Sequence, residues 1–98
     1  MPKIDLKTIA AGLPHAWSST VVGKAAGANV KVLRMEGGAY PDEIHAFDEA
    51  LLVLDGQMNL EIQGRVVEVR AGEVFIVAAG IPHAVAPGSE GTLVIIDR

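Results

Sequence analysis

Glu43, His45 and Glu49 fall within seven residues of one another, and His83 closes a second short stretch, Gly80-Ile81-Pro82-His83. Imidazole nitrogens and carboxylate oxygens are common ligands of divalent transition metals. On a β-strand, positions 43, 45 and 49 share the parity that sends side chains to one face. Two carboxylates with two neutral imidazoles carry a formal charge of −2. That charge offsets a dication in an interior where unpaired carboxylates are costly. Each residue also has a structural reading. His83 follows Pro82 at a loop-to-strand step, and Glu49 could be an exposed strand charge. Glu43 could be solvated beside Asp42, which would leave a three-ligand site of two imidazoles and one carboxylate. Asp48 has the opposite parity to Glu49 and is expected to point outward, and His15 near Trp17 reads as a surface histidine. Tyr40, Arg34, Met58 and Phe75 are candidates for lining a pocket, with Met and Phe on strands more often in the core.

Other chemistries find less support. Gly23-Lys24 lacks the upstream glycine of a phosphate-binding loop, and no GxGxxG follows a strand. Ser18 and Ser19 sit in no nucleophile elbow. Cysteine is absent, which removes disulfides, thiolate zinc sites and a cysteine nucleophile. Glu43 and Glu49 could suggest a glycosidase pair, but six residues apart on one strand with histidines nearby they read better as ligands.

The elements that must position these groups are short. Gly, Pro and Asp punctuate segments rich in Val and Ile, the rhythm of a sandwich or barrel. Strands are expected over residues 4–9, 17–23, 29–36, 43–46, 49–54, 58–62, 65–69, 73–77, 83–86 and 92–97. Met58, Leu60 and Ile62 alternate with polar neighbours, and Gln63-Gly64 reads as the tight turn into the next strand. Residues 42–54 are ambiguous. Ala, Glu and Leu favour helix, and His45 with Glu49 would share a helical face at i and i+4. Pro41 at the entrance, an expected turn at Asp55-Gly56 and the flanking strands favour β-structure.

Length and composition set the bounds. The 98 residues are read as one domain, 1–98, with no repeat, linker or low-complexity tract, and 87–91 is a loop between strands. The 50% apolar and 4% aromatic content predicts an aliphatic core. A chain of this size buries roughly two thirds of its unfolded surface, so a homodimer that covers edge strands is expected. Net charge is −4, with 8 basic against 12 acidic residues and no Lys/Arg cluster, which disfavours nucleic acid and anionic membrane as partners. Apolar runs are too short to span a bilayer and no secretory signal is visible, so a cytoplasmic location is expected.

The two stretches together resemble the motifs of the cupins, small β-barrels whose motifs read G-x5-H-x-H-x3,4-E-x6-G and G-x5-P-x-G-x2-H-x3-N. In the first, Gly38 stands for the opening glycine one residue out of step. Glu43 occupies the first histidine position, His45 the second, Glu49 follows after three residues and Gly56 closes the motif. In the second, Gly72 opens, Ala78 replaces the proline, Gly80 and His83 keep their places, and Pro87 stands at the asparagine. The resemblance covers about residues 30–97. It implies an all-β, double-stranded β-helix (jelly-roll) barrel holding a divalent transition metal (Mn, Fe, Zn or Ni) inside. Cupins of this kind use three histidines and a glutamate, with open positions for substrate or water. By that resemblance the ligand set here is Glu43, His45, Glu49 and His83. The exchange of one imidazole for a harder, more negative carboxylate shifts preference toward manganese, iron(II) or zinc. The implied function is a metal-dependent enzyme acting on a small organic molecule, of dioxygenase, decarboxylase or isomerase type. No catalytic residue beyond the ligands is indicated. A non-enzymatic binding or sensing barrel and a metal-free structural barrel, in which His and Glu satisfy one another, are the alternatives.

Overall fold

In the computed structural model, which describes residues 1–98, eight strands and one short helix follow in the order α1 (Leu6–Gly12), β1 (Thr20–Ala25), β2 (Ala28–Glu36), β3 (Tyr40–Glu43), β4 (Glu49–Ile62), β5 (Arg65–Arg70), β6 (Val74–Val77), β7 (His83–Val85) and β8 (Glu90–Asp97). All strand pairs are antiparallel, in the order β1-β2-β8-β4-β7-β3, with β5 and β6 also pairing β4. Strand β4 is the spine. It pairs four others, so the sheet must curl around it, and the curl encloses the aliphatic core expected from composition. Leu33, Met35, Leu51, Val53, Leu60 and Leu93 are among its ten buried residues. No helix is long and apolar enough to cross a membrane.

Three expectations are corrected. The strand expected at 4–9 is the helix α1. Leu6, Ile9, Ala10 and Leu13 recur at helical spacing, and the Asp5 carboxylate caps the start by accepting the Thr8 N–H at 3.1 Å. At the other end Arg34 Nη1 donates to the carbonyls of Ala10 and Leu13, each at 2.9 Å, satisfying acceptors that a helix end leaves free.

The strands expected at 49–54 and 58–62 are one continuous strand, β4, and Asp55-Gly56 is a bulge inside it rather than a turn. Register against β8 slips between Val53 and Asp55. The inward phase therefore changes from odd positions (Glu49, Leu51, Val53) to even ones (Met58, Leu60, Ile62), and both sets are buried.

The strand expected at 43–46 lies earlier, at Tyr40–Glu43, and residues 44–48 are a connection. Glu43, His45 and Glu49 thus do not share one strand. Pro41 is tolerated because β3 pairs only β7, at the edge of the sheet. Residues 44–48 are instead tied to the β6–β7 connection. Gly80 N–H donates to the His45 carbonyl at 2.8 Å, and Ala79 N–H donates to Asp48 Oδ1 at 2.9 Å. The strand expected at 17–23 begins only at Thr20, since Trp17 has a positive φ of 63° and donates its N–H to the Arg34 carbonyl. The β4–β5 hairpin is as expected, with Ile62 opposite Arg65 and positive φ at both Gln63 and Gly64.

Candidate metal centre

Three separate pairings bring the four candidate ligands together. Glu43 ends β3 directly opposite His83 of β7, which in turn is opposite Ile62 of β4. Glu49 begins β4, opposite Val77 of β6. The two loop-to-loop hydrogen bonds of His45 and Asp48 swing the 44–48 connection over this end of the barrel, where the His45 ring stacks on Phe47 at 5.0 Å. As a result one ligand atom from each of Glu43, His45, Glu49 and His83 lies within 4.8 Å of all the others. Glu49 and His83 are buried, while Glu43 and His45 are half-buried.

The orientation of the rings is as informative as their proximity. His83 Nδ1 is 3.1 Å from the Ile81 carbonyl oxygen, an acceptor only, so Nδ1 carries a proton and donates it. In the neutral ring Nε2 then presents a lone pair, and it faces Glu49 Oε1 at 3.2 Å. His45 Nε2 is buried without a hydrogen-bond partner, 3.4 Å from Glu43 Oε2 and 3.6 Å from Glu49 Oε2. Lone pairs converging on one point repel unless a proton or a cation lies among them. A backbone carbonyl on the far nitrogen of a histidine is the arrangement that orients metal-ligating imidazoles. The donor set, its charge and the buried Nε2 without a partner all fit a divalent cation. These four residues are able to hold one.

Beside the cluster lies a cavity of about 340 Å³, in the size range of small-molecule sites. Its apolar wall comes from Leu33, Leu51, Met58, Val85, Leu93 and Ile95. Trp17 and Tyr40 form one edge, their rings 5.9 Å apart. Burial first, and then the neighbouring Glu43 carboxylate, raise the pKa of the Tyr40 phenol above its usual range, which keeps it a proton donor. Of the sequence-based lining candidates, Tyr40 and Met58 face the cavity. Arg34 instead holds α1, and Phe75 packs on the core. His15 is exposed and apart from the site, and Asp48 points outward as expected.

Sequence reasoning missed Lys31, Asp97, Ser18 and Ser19, which also line the cavity. A signal for two of them was present. Lys31 is in phase with the inward Leu33 and Met35 on β2, and Asp97 with Leu93 and Ile95 on β8. A charged residue in an inward phase is unusual unless it is paired. These two are paired, at 2.9 Å.

Comparison with known proteins agrees with this architecture. No curated protein matches the chain. Among solved structures, a cupin-2 domain containing protein from Shewanella frigidimarina is similar with a TM-score of 0.85 and 22% identity, covering 95% of this chain and 91% of that one. A Neisseria meningitidis protein gives 0.84 and 23%, covering 98% of each chain. A Thermus thermophilus protein gives 0.82 and 21%, covering 99% and 96%. At these identities the likeness shows the fold, the cupin jelly roll. The cupin domain family model matches residues 31–97, which contain both motifs and all four clustered side chains, and the chain therefore belongs to the cupin family.

Proposed function

We propose that this cupin is a metal-dependent enzyme acting on a small organic molecule bound in the cavity, with a divalent metal held by Glu43, His45, Glu49 and His83. The observation that carries the reading is the convergence of two imidazole Nε2 atoms on carboxylate oxygens, with the far nitrogen of His83 fixed by the Ile81 carbonyl. Two carboxylates with two imidazoles make a hard, doubly negative set suited to manganese, iron(II) or zinc, with nickel the further possibility. When bound, such an ion supplies Lewis-acid polarisation of a ligand oxygen. The chain's own residues supply the rest. The aliphatic wall and Trp17 offer apolar contact to a ligand, Tyr40 offers a phenolic proton beside Glu43, and the 44–48 connection holds His45 against the cluster.

The non-enzymatic binding reading is favoured by one feature. Apart from the cluster and Tyr40, the charged groups of the cavity are engaged with each other, Lys31 with Asp97. Elemental analysis of protein purified without added metal or a nickel column tests the proposal. About one manganese, iron, zinc or nickel per chain is expected in the wild type, lost in His83→Ala and lowered in Glu43→Ala. No metal in any sample, before or after reconstitution, would leave a binding or structural barrel. With metal present, turnover that is lost in His45→Ala while the fold is kept supports the enzyme over the binding module.

We also propose a homodimer. Ile76, Ala50 and Ile96 are cross-strand neighbours on β6, β4 and β8, and Ile76, Val74 and Ile96 leave an exposed aliphatic row on the outer face. A second copy would cover it.

A further inference from the structure

Lys31 is the only lysine or arginine that lines the cavity. Its Nζ is bound at 2.9 Å to Asp97 Oδ2, and the other Asp97 oxygen accepts from Asn29 Nδ2 at 3.4 Å. Asp97 therefore has both oxygens committed, whereas an ammonium has three N–H donors and only one is used here. The burial of the two partners differs in the same sense. The Asp97 side chain is 3% exposed and that of Lys31 25%, so of the two groups lining the cavity the ammonium is the more accessible to a bound molecule. Ser18 and Ser19 add hydroxyls to the lining.

Strand register fixes where this pole lies relative to the His/Glu cluster. Asp97 is opposite Asn29 on β2, and Ile96 is opposite Ala50 on β4, so Glu49 and Asp97 lie side by side on neighbouring strands. Lys31 lies one strand further on. Adjacent strands are about 4.8 Å apart, which puts the β2 and β4 backbones roughly 10 Å from one another with β8 between them, and Lys31 and Glu49 both face the cavity. A ligand that touches both poles is a few carbons long.

We propose that Lys31 anchors the carboxylate of the ligand, so that the cavity takes a short oxo or hydroxy monocarboxylic acid whose second oxygen is directed toward the His/Glu cluster. This rests on the cavity being the ligand site of the proposed function. A single ammonium already paired with Asp97 suits a monoanion better than a phosphate dianion. With a divalent metal in place, Glu43, Glu49 and Asp97 are balanced by the metal and Lys31, so the cavity has no net charge to repel one carboxylate.

Trp17 is the only tryptophan and lines the cavity, so its emission reports occupancy directly. The test titrates 2-oxobutanoate and 4-oxopentanoate, each beside its uncharged methyl ester, into metal-free and manganese-loaded protein. At least one acid is expected to bind saturably and at least tenfold more tightly than its ester. That preference is expected to vanish in the double variant Lys31→Met/Asp97→Asn, which removes both charges and leaves no buried carboxylate unpaired, and to persist in Lys31→Arg. Acids that bind no better than esters, or an unchanged preference in the double variant, would overturn it. The two proposals fail separately. Stoichiometric metal without acid preference removes only the Lys31 anchor, and Lys31-dependent acid binding by a protein that takes up no metal on reconstitution removes only the metal centre.

Discussion

Gly56 and Gly91 face each other across β4 and β8, each where a Cβ would strike the opposite backbone, 2.0 Å from the Glu90 carbonyl oxygen and 2.2 Å from that of Asp55. Their φ angles are +73° and +105°. This close approach makes the bulge that resets the inward phase of β4, and it is locked by Asp55, whose carboxylate accepts the Thr92 N–H at 2.8 Å and hydroxyl at 3.2 Å. Without the slip, either Glu49 or the Met58–Leu60–Ile62 face would turn outward. Gly91→Ala is expected to cost about 2–4 kcal/mol from backbone strain and the backbone collision. The melting midpoint should then fall by at least about 8 °C. Gly12→Ala, where a Cβ meets nothing within 4 Å, is the control and should change it little.

Asp48 touches no ligand atom of the cluster, yet its carboxylate holds the His45 connection through Ala79 N–H. Asp48→Ala should cost about 1 kcal/mol of stability, the net value of one hydrogen bond. Its effect on metal affinity should be larger, on the order of tenfold, because a supporting contact that positions a ligand is lost. Asp48→Asn keeps the acceptor oxygen and should restore most of that affinity. Competition titration against a fluorescent chelator measures both.

Metal should stabilise the fold, because its four ligands come from β3, the 44–48 connection, β4 and β7 and are together only in the folded chain. At free metal about 100 times the dissociation constant, the gain is about 2.7 kcal/mol. Thermal melts with and without chelator should differ by roughly 10–20 °C in the wild type. In His83→Ala the two melts should nearly coincide.

The outer aliphatic row gives a separate expectation. Ile76, 65% exposed, stands at its edge on β6, which pairs only β4. Light scattering coupled to gel filtration should show a dimer for the wild type and a monomer for Ile76→Lys, with little change in the circular dichroism of the fold. A wild-type monomer at all concentrations would remove the dimer.

Much of this architecture was legible in the chain. Gln63-Gly64 announces its hairpin because two residues with positive φ between alternating segments leave few other solutions. The four clustered side chains follow from residue type and motif spacing, although one shared strand face is not what gathers them, since Glu43 ends β3, Glu49 begins β4 and His45 lies on the connection between. His45 reaches the cluster through hydrogen bonds between two loops, which strand periodicity does not encode. The helix at Leu6–Gly12 is not told from a strand by an apolar pattern in so short a stretch. Its cap at Asp5 and its anchor at Arg34, more than twenty residues away, are what decide it. Asp55-Gly56 reads as a turn in any local view, and only the facing Gly91 makes it a bulge. Lys31 and Asp97 were overlooked because each looks like an ordinary strand charge until the partner on the adjacent strand is known.

On this reading Glu43, His45, Glu49 and His83 together bind one metal ion. Anomalous diffraction from a crystal of manganese-loaded protein, recorded on both sides of the metal edge, tests it most directly. One peak is expected among the four side chains, about 2.0–2.3 Å from His45 Nε2, His83 Nε2 and an oxygen of each glutamate. A map without a peak there, with His83 still against Glu49 and His45 between the two carboxylates, would contradict this binding and leave a barrel whose His and Glu side chains only satisfy one another.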